Sequence, residues 1–255
     1  MAEAEEYLRR CTAIRTDMNI EGKNPVKEAL DSHVKISKIC ISKTAHDLQP
    51  IVDIAKKKRI RIDFADKSQL DRISQSGRHQ GVIAIAGDFE YCEVDDILRY
   101  AKDKGEKLFM LVLDGIEDPH NLGSIIRVAE CAGAHGIVIP SRRSVGVNAT
   151  VLRTSAGAAN HMKIATVNNV NDTIRMLKDN FINVYCADMQ GMQLYDTHLK
   201  EDVAIVIGSE GSGVKQLTSK LCDSAISIPQ FGKVNSLNAS VACGIICYEV
   251  VRQRR

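Results

Sequence analysis

Two apolar runs in the last quarter of the chain each lead into a turn whose side chains could bind a ligand. Residues 205–207 run into Gly208 and Glu210, and residues 226–228 run into a loop that reaches Asn238. Two buried strands that end side by side at open turns form a ligand crevice in an α/β sheet. A carboxylate and an amide at such a crevice can hold the polar groups of a bound ligand. The sequence therefore predicts a binding site at these turns.

The glycines of the first turn do not form a nucleotide-binding loop. Gly208 and Gly213 have phosphate-loop spacing, but Val214 occupies the position of the required lysine and Lys215 follows one residue late. Residues 114–122, which follow the first strand of this half, offer Gly115 alone. The pattern excludes a nucleoside triphosphatase, and it argues against a Rossmann dinucleotide site and the usual glycine-rich methyltransferase site.

A regular succession of strands and helices after residue 107 would position these turns. Residues 108–113 are continuously apolar, as expected of a parallel strand buried on both faces. Further strands are predicted at 136–140, 163–167, 182–187, 203–207 and 225–228. Helices are predicted at 124–132, 149–159, 170–178, 214–221 and from Leu237 to about Arg252. The fold class is therefore α/β, with about six mostly parallel strands and helices on both faces.

The first third of the chain predicts a second, smaller α/β unit. Strands at 38–42, 60–64 and 81–86 alternate with helices at 25–30, 48–57 and 68–74. We predict a domain over residues 18–86, preceded by a helical or frayed extension over 1–17. Residues 87–106 are charged and mostly polar, so we predict a linker with an exposed helix and a second domain over 107–255.

Composition narrows the class of protein. The chain has 255 residues, 44% of them hydrophobic and 26% charged, and no apolar run approaches the ~18 residues of a membrane span. The first ten residues are acidic before they are basic, which argues against a targeting signal. Eight cysteines without a CxxC pair indicate reduced, mostly buried thiols rather than a metal site. We therefore expect a cytoplasmic protein with no metal and no membrane partner.

The net charge of +2 is unevenly distributed. Residues 1–86 carry 16 Lys and Arg against 12 Asp and Glu, and the remainder carries 18 against 20. The densest basic cluster covers residues 56–59. It is either a solvated helix end or part of an electrostatic surface for a phosphate backbone, and the sequence leaves both interpretations open.

Three segments, taken in order, closely resemble the three motifs of the SpoU/TrmH family, the knotted RNA 2′-O-ribose methyltransferases of the SPOUT superfamily. They are DPHNLGSIIR (118–127), IGSEG (207–211), and SIP (227–229) with SLNAS (236–240). Upstream, EGKNPVKEAL (21–30) and HQGVIA (79–84) look like the family's N-terminal substrate-binding domain, which is similar to ribosomal proteins L30e and L7Ae. The resemblance covers about residues 18–252. Its HQG and DPHNLG forms favour the RlmB-like group, which modifies a guanosine of large-subunit ribosomal RNA.

The resemblance implies S-adenosylmethionine as cofactor, bound mainly through the backbone of Gly208, Ile228 and Leu237. A ribose 2′-hydroxyl is a poor nucleophile at neutral pH, so the reaction needs alignment and a proton acceptor. The family gives Arg127 a catalytic role, sometimes as the base. Because a guanidinium stays protonated, holding the substrate phosphate or polarising the hydroxyl is easier to justify. A plain surface arginine is the alternative.

The remaining motif residues also carry two interpretations each. Asn121 would orient Arg127 or the ribose, and it could also be a helix cap. Glu210 would pair with arginine or bind the target nucleotide, unless it is a solvated loop carboxylate. Ser236 and Asn238 would hydrogen-bond substrate and cofactor, and Ser236 could equally cap the last helix. Residues 153–158 resemble the family's substrate-side segment, or they form a glycine-interrupted buried helix.

The resemblance further implies a trefoil knot in the C-terminal part, a homodimer with the active site beside its interface, and RNA as partner. Two alternatives remain open at this point: the same reaction on a transfer RNA guanosine, and a non-catalytic RNA-binding protein of ribosome assembly. The sequence departs from the family at residues 230–233, where a methionine and a smaller residue are commoner after the proline. That departure puts specificity rather than the reaction in doubt.

Overall fold

Alternating strands and helices form two units, residues 1–90 and 91–255, in the computed structural model of the chain. The structure describes residues 18–31, 36–74, 77–87, 89–233 and 236–255, so the predicted extension over 1–17 lies outside the described residues. No helix in these ranges is long and apolar enough to cross a membrane. The same ranges contain no cluster of three or more His, Cys, Asp or Glu side chains that could hold a metal ion.

The first unit is a four-stranded mixed sheet with three helices among its described residues. Its elements are β1 (Met18–Glu21), α1 (Lys23–Asp31), β2 (Ile36–Ser42), α2 (Gln49–Lys57), β3 (Arg61–Ala65), α3 (Lys67–Ile73) and β4 (Val82–Ala86). The strand order is β1-β4-β2-β3, in which β4 is antiparallel to β1 and β2 whereas β2 and β3 are parallel. The three predicted strands are present. β1 was not predicted, because four residues of mixed polarity are too few to show an alternating pattern.

In the HQG segment of this unit, His79 is buried whereas Gln80 is exposed. His79 is 5% exposed, its Nε2 lies 2.9 Å from Asp71 Oδ1, and its Nδ1 accepts a hydrogen bond from the backbone N–H of Gly81. A Cβ at Gly81 would lie 2.5 Å from the Cβ of Ala45, and the backbone φ of Gly81 is +84°. The glycine is therefore required both by the close approach and by its left-handed conformation.

The second unit is built on a six-stranded sheet in which every pairing is parallel, with the order β10-β8-β9-β5-β6-β7. This arrangement confirms the predicted parallel α/β class. Its elements are α4 (Val94–Asp103), β5 (Phe109–Asp114), α5 (Pro119–Cys131), β6 (Gly136–Pro140), α6 (Ala149–Thr154), β7 (Ile164–Val167), α7 (Val170–Asp179), β8 (Asn183–Gln193), β9 (Val203–Gly208), α8 (Gln216–Leu221), β10 (Ser224–Ser227) and α9 (Ala239–Arg254).

Helices cover the faces of this sheet. α4 and α7 pack into one core cluster with β5, through Ile97, Ile174, Leu177, Met110 and Val112, all of them fully buried. α9 has its buried residues outside that cluster and contacts β9 and α5. β9 lies between β5 and β8 and is buried along its whole length. Burial on both faces explains why its sequence is continuously apolar instead of alternating.

Several predicted helices differ from the structure, three of them by more than two residues or in their burial. α4 is present, but it is not an exposed connection, because Ile97 and Ala101 are buried in the core of the second unit. α6 ends at Thr154 instead of continuing to residue 159, since Ala156 and Gly157 both have positive φ and break the helix. α5 begins at Pro119 instead of residue 124, so most of the predicted turn forms the first helical turn.

Candidate functional site

A cavity of about 370 Å³ opens at the carboxyl ends of β9 and β10, where the sequence predicts the ligand site. Its walls come from the turn after β9, the start of the loop after β10, the approach to α9, and part of β8. Five predicted site residues line it: Gly208, Glu210, Ile228, Ser236 and Leu237. Asn121, Arg127 and Asn238 do not line the cavity.

The turn after β9 folds back tightly on itself. Ser209 and Gly213 exchange backbone hydrogen bonds of 3.2 and 2.9 Å, which closes the turn over residues 209–213. A Cβ at Gly208 would lie 2.0 Å from the carbonyl carbon of Gly213. The turn therefore depends on a glycine at this position, because the Gly213 backbone occupies the place of a side chain.

Asn238 joins the two turns. Its side-chain oxygen accepts hydrogen bonds from the backbone N–H groups of Ser240 and Val241, so Asn238 is the N-cap of α9. Its Nδ2 donates to Oδ1 of Asn121 at 3.0 Å and to Oε1 of Glu210. The alternative that Ser236 caps this helix is thus wrong, because α9 begins two residues later than predicted.

Asn121 lies in the first turn of α5 and is 8% exposed. Asp118 caps this helix through hydrogen bonds from the N–H groups of His120 and Asn121. The capping role considered for Asn121 is therefore filled by Asp118, and the Asn121 side chain points its oxygen toward Asn238. An uninterrupted chain of contacts runs from Asn121 through Asn238 to Glu210. We call these three side chains the amide–carboxylate cluster.

Arg127 stands apart from the cluster. It is exposed on α5, and within the described part of the chain its guanidinium makes no hydrogen bond or ion pair. The predicted contacts from Arg127 to Asn121 and to Glu210 are accordingly not formed. An exposed, unpaired guanidinium is free to bind an anionic group of an incoming ligand.

The lysine that follows the glycine turn is used within the protein. Lys215 Nζ lies 2.5 Å from Oδ1 of Asp114, and the backbone N–H of Lys215 donates to Oδ2 of the same carboxylate at 3.1 Å. Asp114 ends β5 and is 2% exposed. The ion pair ties the turn after β9 to the neighbouring strand, which agrees with the exclusion of a phosphate loop.

Part of the cavity wall comes from β8 and was not predicted from the sequence. The pairing of β10 with β8 jumps from Ala225↔Cys186 to Ile226↔Met192, so residues 187–191 form an excursion from the strand. Asp188 and Met189 of this excursion line the cavity, and Asp188 Oδ1 accepts the backbone N–H of Gln190 at 2.9 Å. A Cβ at Gly191 would meet the Ala225 carbonyl carbon at 2.4 Å, so this glycine marks the return to the sheet.

The charge of the cavity is negative. Among the described residues that line it, the charged side chains are Asp188 and Glu210, and neither Lys, Arg nor His is present. Its remaining lining consists of glycines, serines, Gln230 and aliphatic side chains such as Ile207 and Ile246. Gln230 belongs to the segment that departs from the family pattern, so the departure does fall at the cavity wall.

Comparison with known families shows two matches that together span most of the chain. The SpoU rRNA Methylase family matches residues 108–248. The family described as RNA 2′-O ribose methyltransferase substrate binding matches residues 19–92. All eight predicted site residues fall within the first of these ranges.

Individual relatives are similar over nearly their whole length. The chain is 43% identical over 236 residues to a protein of Bacillus subtilis (strain 168) provisionally named as a TrmH family tRNA/rRNA methyltransferase, YacO, covering 91% of this chain and 94% of the relative. It is 42% identical over 242 residues to a provisionally named TrmH family tRNA/rRNA methyltransferase of Staphylococcus aureus (strain COL), covering 93% and 97%.

Two solved structures share the fold at lower identity. The SpoU methyltransferase AviRb from Streptomyces viridochromogenes, in complex with AdoMet, has a TM-score of 0.69 at 21% identity, covering 100% of this chain and 99% of that one. An AdoMet-bound rRNA methyltransferase from Sinorhizobium meliloti has a TM-score of 0.67 at 24% identity, covering 92% and 87%. The likeness therefore extends over both units of the chain.

Proposed function

We propose that this chain, which belongs to the SpoU rRNA methylase family, methylates the 2′-hydroxyl of a guanosine ribose in large-subunit ribosomal RNA. Membership is shown by the family match and by relatives above 40% identity, and it makes the chain an RNA methyltransferase with S-adenosylmethionine as cofactor. The finer substrate rests on the RlmB-like form of the motifs. The amide–carboxylate cluster beside the cavity is the observation that carries the proposal.

The cavity fits S-adenosylmethionine better than a nucleotide. When bound, this cofactor supplies an electrophilic methyl group on a positively charged sulfonium. A volume of about 370 Å³ lies within the usual ~300–1,000 Å³ of small-molecule sites. Two carboxylates and no cationic side chain among the described lining residues suit a ligand with positive charge and oppose a polyphosphate. The open backbone at Gly208, with Ile228 and Leu237 opposite, would hold the adenine and methionine parts.

The cluster would position the ribose. Asn238 donates to one carboxylate oxygen of Glu210, which leaves the other oxygen available to a ligand hydroxyl. A carboxylate at that place can accept the 2′-hydroxyl proton or hold a neighbouring hydroxyl in line with the methyl group. Asn121 is buried and fixes the orientation of Asn238. Arg127 would bind the phosphate of the same nucleotide, since its guanidinium is unpaired. Ser236 would contact the cofactor or the ribose from the cavity rim.

The partner and the architecture complete the proposal. Residues 18–86 would bind RNA and residues 107–255 would carry the reaction, with α4 packed into the core of the catalytic unit instead of serving as a linker. The substrate-binding family match and the positive balance of the first unit support this division. We expect the protein to act in the cytoplasm, where ribosomal and transfer RNA are processed.

The knot and the homodimer are also proposals. Contacts of α9 with both β9 and α5 support a C-terminal segment threaded beside the central strands, as in knotted members of the family. An apolar stripe on α9 supports a homodimer: Val241 and Tyr248 are 51% and 54% exposed, and they lie two helical turns apart on one face.

Transfer of labelled methyl from S-adenosylmethionine to protein-free ribosomal and transfer RNA pools tests the function. We expect label in large-subunit RNA, at positions that resist alkaline cleavage because the 2′-hydroxyl is methylated. Arg127→Ala is expected to lose the label while calorimetry still detects cofactor binding.

The outcomes separate the alternatives. Label in transfer RNA alone would retain the chemistry and overturn the substrate. Alkali-sensitive label would place the methyl group on a base and contradict 2′-O-methylation. A wild-type protein that binds RNA but not S-adenosylmethionine would favour the non-catalytic RNA-binding alternative.

A further inference from the structure

The loop between β6 and α6 carries two arginines and is bonded to the turn that leads into α5, the helix that carries Asn121. Arg142 and Arg143 are both exposed, and within the described part of the chain neither guanidinium makes a hydrogen bond or ion pair. Paired arginines are common on this unit: Arg99, Arg175 and Arg252 each have a carboxylate partner. Arg142 and Arg143 differ from these three in being unpaired, and they share that property with Arg127.

The loop that carries them is held firmly in place. On one side, the backbone N–H of Ser141 donates to the Val167 carbonyl at 2.8 Å. On the other side, the N–H of Val147 donates to the hydroxyl of Tyr91 at 2.8 Å. Asn148 then caps α6 by accepting the N–H of Val151. Both ends of the loop are thus fixed by hydrogen bonds.

The middle of the loop is fastened to the turn that leads into α5. The hydroxyl of Ser144 donates to the Ile116 carbonyl at 3.0 Å, and the N–H of Val145 donates to the same carbonyl at 2.9 Å. The carbonyl oxygen of Arg143 lies 3.6 Å from the Cβ position of Gly115, and Lys215 Nζ lies 3.7 Å from that position. The loop consequently borders the turn that precedes Asn121, and Lys215, which follows the glycine turn, reaches the same turn.

Arg143 also has an unusual backbone. Its φ is +56°, in the left-handed region that side chains other than those of glycine, asparagine and aspartate rarely adopt. Such a conformation persists where the surrounding contacts determine it, and it recurs at ligand-binding positions. Here the two residues that follow Arg143, Ser144 and Val145, are both fixed by hydrogen bonds to the Ile116 carbonyl. The strained position keeps the two adjacent arginines on an exposed, immobilised turn.

The acidic groups nearby do not neutralise this pair. Asp114 is buried and occupied by Lys215, and Glu117 in the neighbouring turn forms no ion pair with either arginine in the described structure. Guanidinium groups bind phosphate oxygens in a bidentate manner, and rigid presentation reduces the entropy lost on binding. An anionic polymer lying along this loop would meet two positive charges without an acidic partner.

We infer that Arg142 and Arg143 form a phosphate-binding surface of the second unit, which holds the RNA backbone next to the target ribose. The inference rests on the proposed function and locates RNA contacts outside the substrate-binding region of the first unit. Phosphate contacts of this kind position a nucleic acid without reading its sequence. The surface therefore contributes to RNA affinity and alignment, whereas the choice of nucleotide is made elsewhere.

The test compares the salt dependence of RNA binding. Wild type, R142A/R143A and R142K/R143K are titrated by filter binding with a large-subunit ribosomal RNA transcript and a transfer RNA transcript, between about 50 and 200 mM salt. Each lost phosphate contact reduces the slope of log K against log salt by ~0.7–0.9, so the alanine variant is expected to be shallower by about 1.5 on both RNAs. The lysine variant is expected to keep most of the slope, because the charge remains.

A matched control removes the same charge elsewhere. R99A/R175A loses two positive charges from the same unit at ion-paired, exposed positions, and it is expected to leave the slope within experimental error of wild type. Equal slopes for wild type and R142A/R143A would overturn the inference, as would an equal loss in the control.

Calorimetric binding of S-adenosylmethionine separates this inference from the proposed function. R142A/R143A is expected to bind the cofactor as wild type does. Unchanged RNA slopes with intact cofactor binding would contradict only the arginine surface. Failure of the wild type itself to bind S-adenosylmethionine would contradict the proposed function, and failure to bind either RNA would contradict both.

Discussion

At the scale of single residues, the site depends on side chains whose types the sequence shows but whose partners it does not. Asn121, Glu210 and Asn238 are separated by up to 117 positions, yet Asn238 contacts both of the others. Their presence at strand ends was predictable, because parallel strands end at one edge of a sheet. The double role of Asn238, as helix cap and as the donor that connects the other two residues, was not predictable, because the exact start of α9 depends on packing.

Asn238→Asp separates these two roles. An aspartate still accepts hydrogen bonds from the N–H groups of Ser240 and Val241, so we expect the thermal stability to change little. It cannot donate to Asn121 or Glu210, and its charge repels the Glu210 carboxylate. We therefore expect single-turnover methyl transfer to fall by about 10- to 100-fold, the range that corresponds to ~1.5–3 kcal/mol for a lost charged hydrogen bond.

Asn238→Ala is the matched comparison. It removes the cap as well, and it is expected to reduce the free energy of unfolding by ~1 kcal/mol in addition to the loss of activity. Wild-type turnover in the aspartate variant would show that the amide donor plays no part in the reaction.

His135 predicts a pH dependence of stability. It is 3% exposed immediately before β6, and burial lowers its pKa below the usual 6.5 even though the Glu106 carboxylate opposes the shift. Between the two pKa values, His135 is therefore protonated in the unfolded chain and neutral in the folded protein. The contribution of His135 to the free energy of unfolding is fully present above about pH 6.5. It decreases as the pH falls from there toward the lower pKa of the folded state.

Urea unfolding at several pH values between about 5 and 7.5 measures this effect. His135→Asn is expected to flatten the decline, because asparagine keeps an acceptor near the Phe109 N–H but has no proton to gain. His161→Asn changes an exposed histidine and is expected to leave the decline unaltered. An identical pH profile for wild type and His135→Asn would exclude His135 as its source.

At the scale of elements, buried strands were the most predictable feature. The continuous apolar runs of β5 and β9 place both strands correctly to within one residue. The excursion at residues 187–191 was not predictable, because it arises from how β10 pairs with β8 instead of from any local pattern. The helix α4 was predicted, but its charged and polar residues concealed its burial, although the two buried positions, Ile97 and Ala101, are spaced for one helical face.

The turn after β9 should tolerate no side chain at Gly208. In Gly208→Ala the new Cβ would collide with the Gly213 backbone, so the turn must shift. We expect a loss of about 1–3 kcal/mol in the free energy of unfolding and a weakening of S-adenosylmethionine binding by about tenfold. Gly232→Ala is the control, since a Cβ there meets no atom within 4 Å. Equal cofactor affinity in the two variants, measured by calorimetry, would show that the turn does not form the cofactor site.

At the scale of the whole molecule, the stripe on α9 predicts self-association. The variant V241E/Y248E places two charges on the proposed interface, so light scattering is expected to show the mass falling from twice 28.1 kDa to 28.1 kDa. Phe181→Glu changes an aromatic residue that is 92% exposed outside α9, and it is expected to leave the mass unchanged. A wild-type protein that is monomeric at micromolar concentration would contradict the homodimer.

The place of β9 in the sheet has a consequence for how the chain folds. β9 pairs with β5, although β6, β7 and β8 lie between these two strands in the sequence. Neither β5 nor β8 has its full set of neighbours until β9 has entered between them. Contacts between residues so distant in sequence slow folding, because loop closure is costly before the contacts form. Until then, the edges of β5 and β8 stay unpaired and can associate with other chains. Refolding from denaturant should therefore be slow, and its yield should fall as the protein concentration rises.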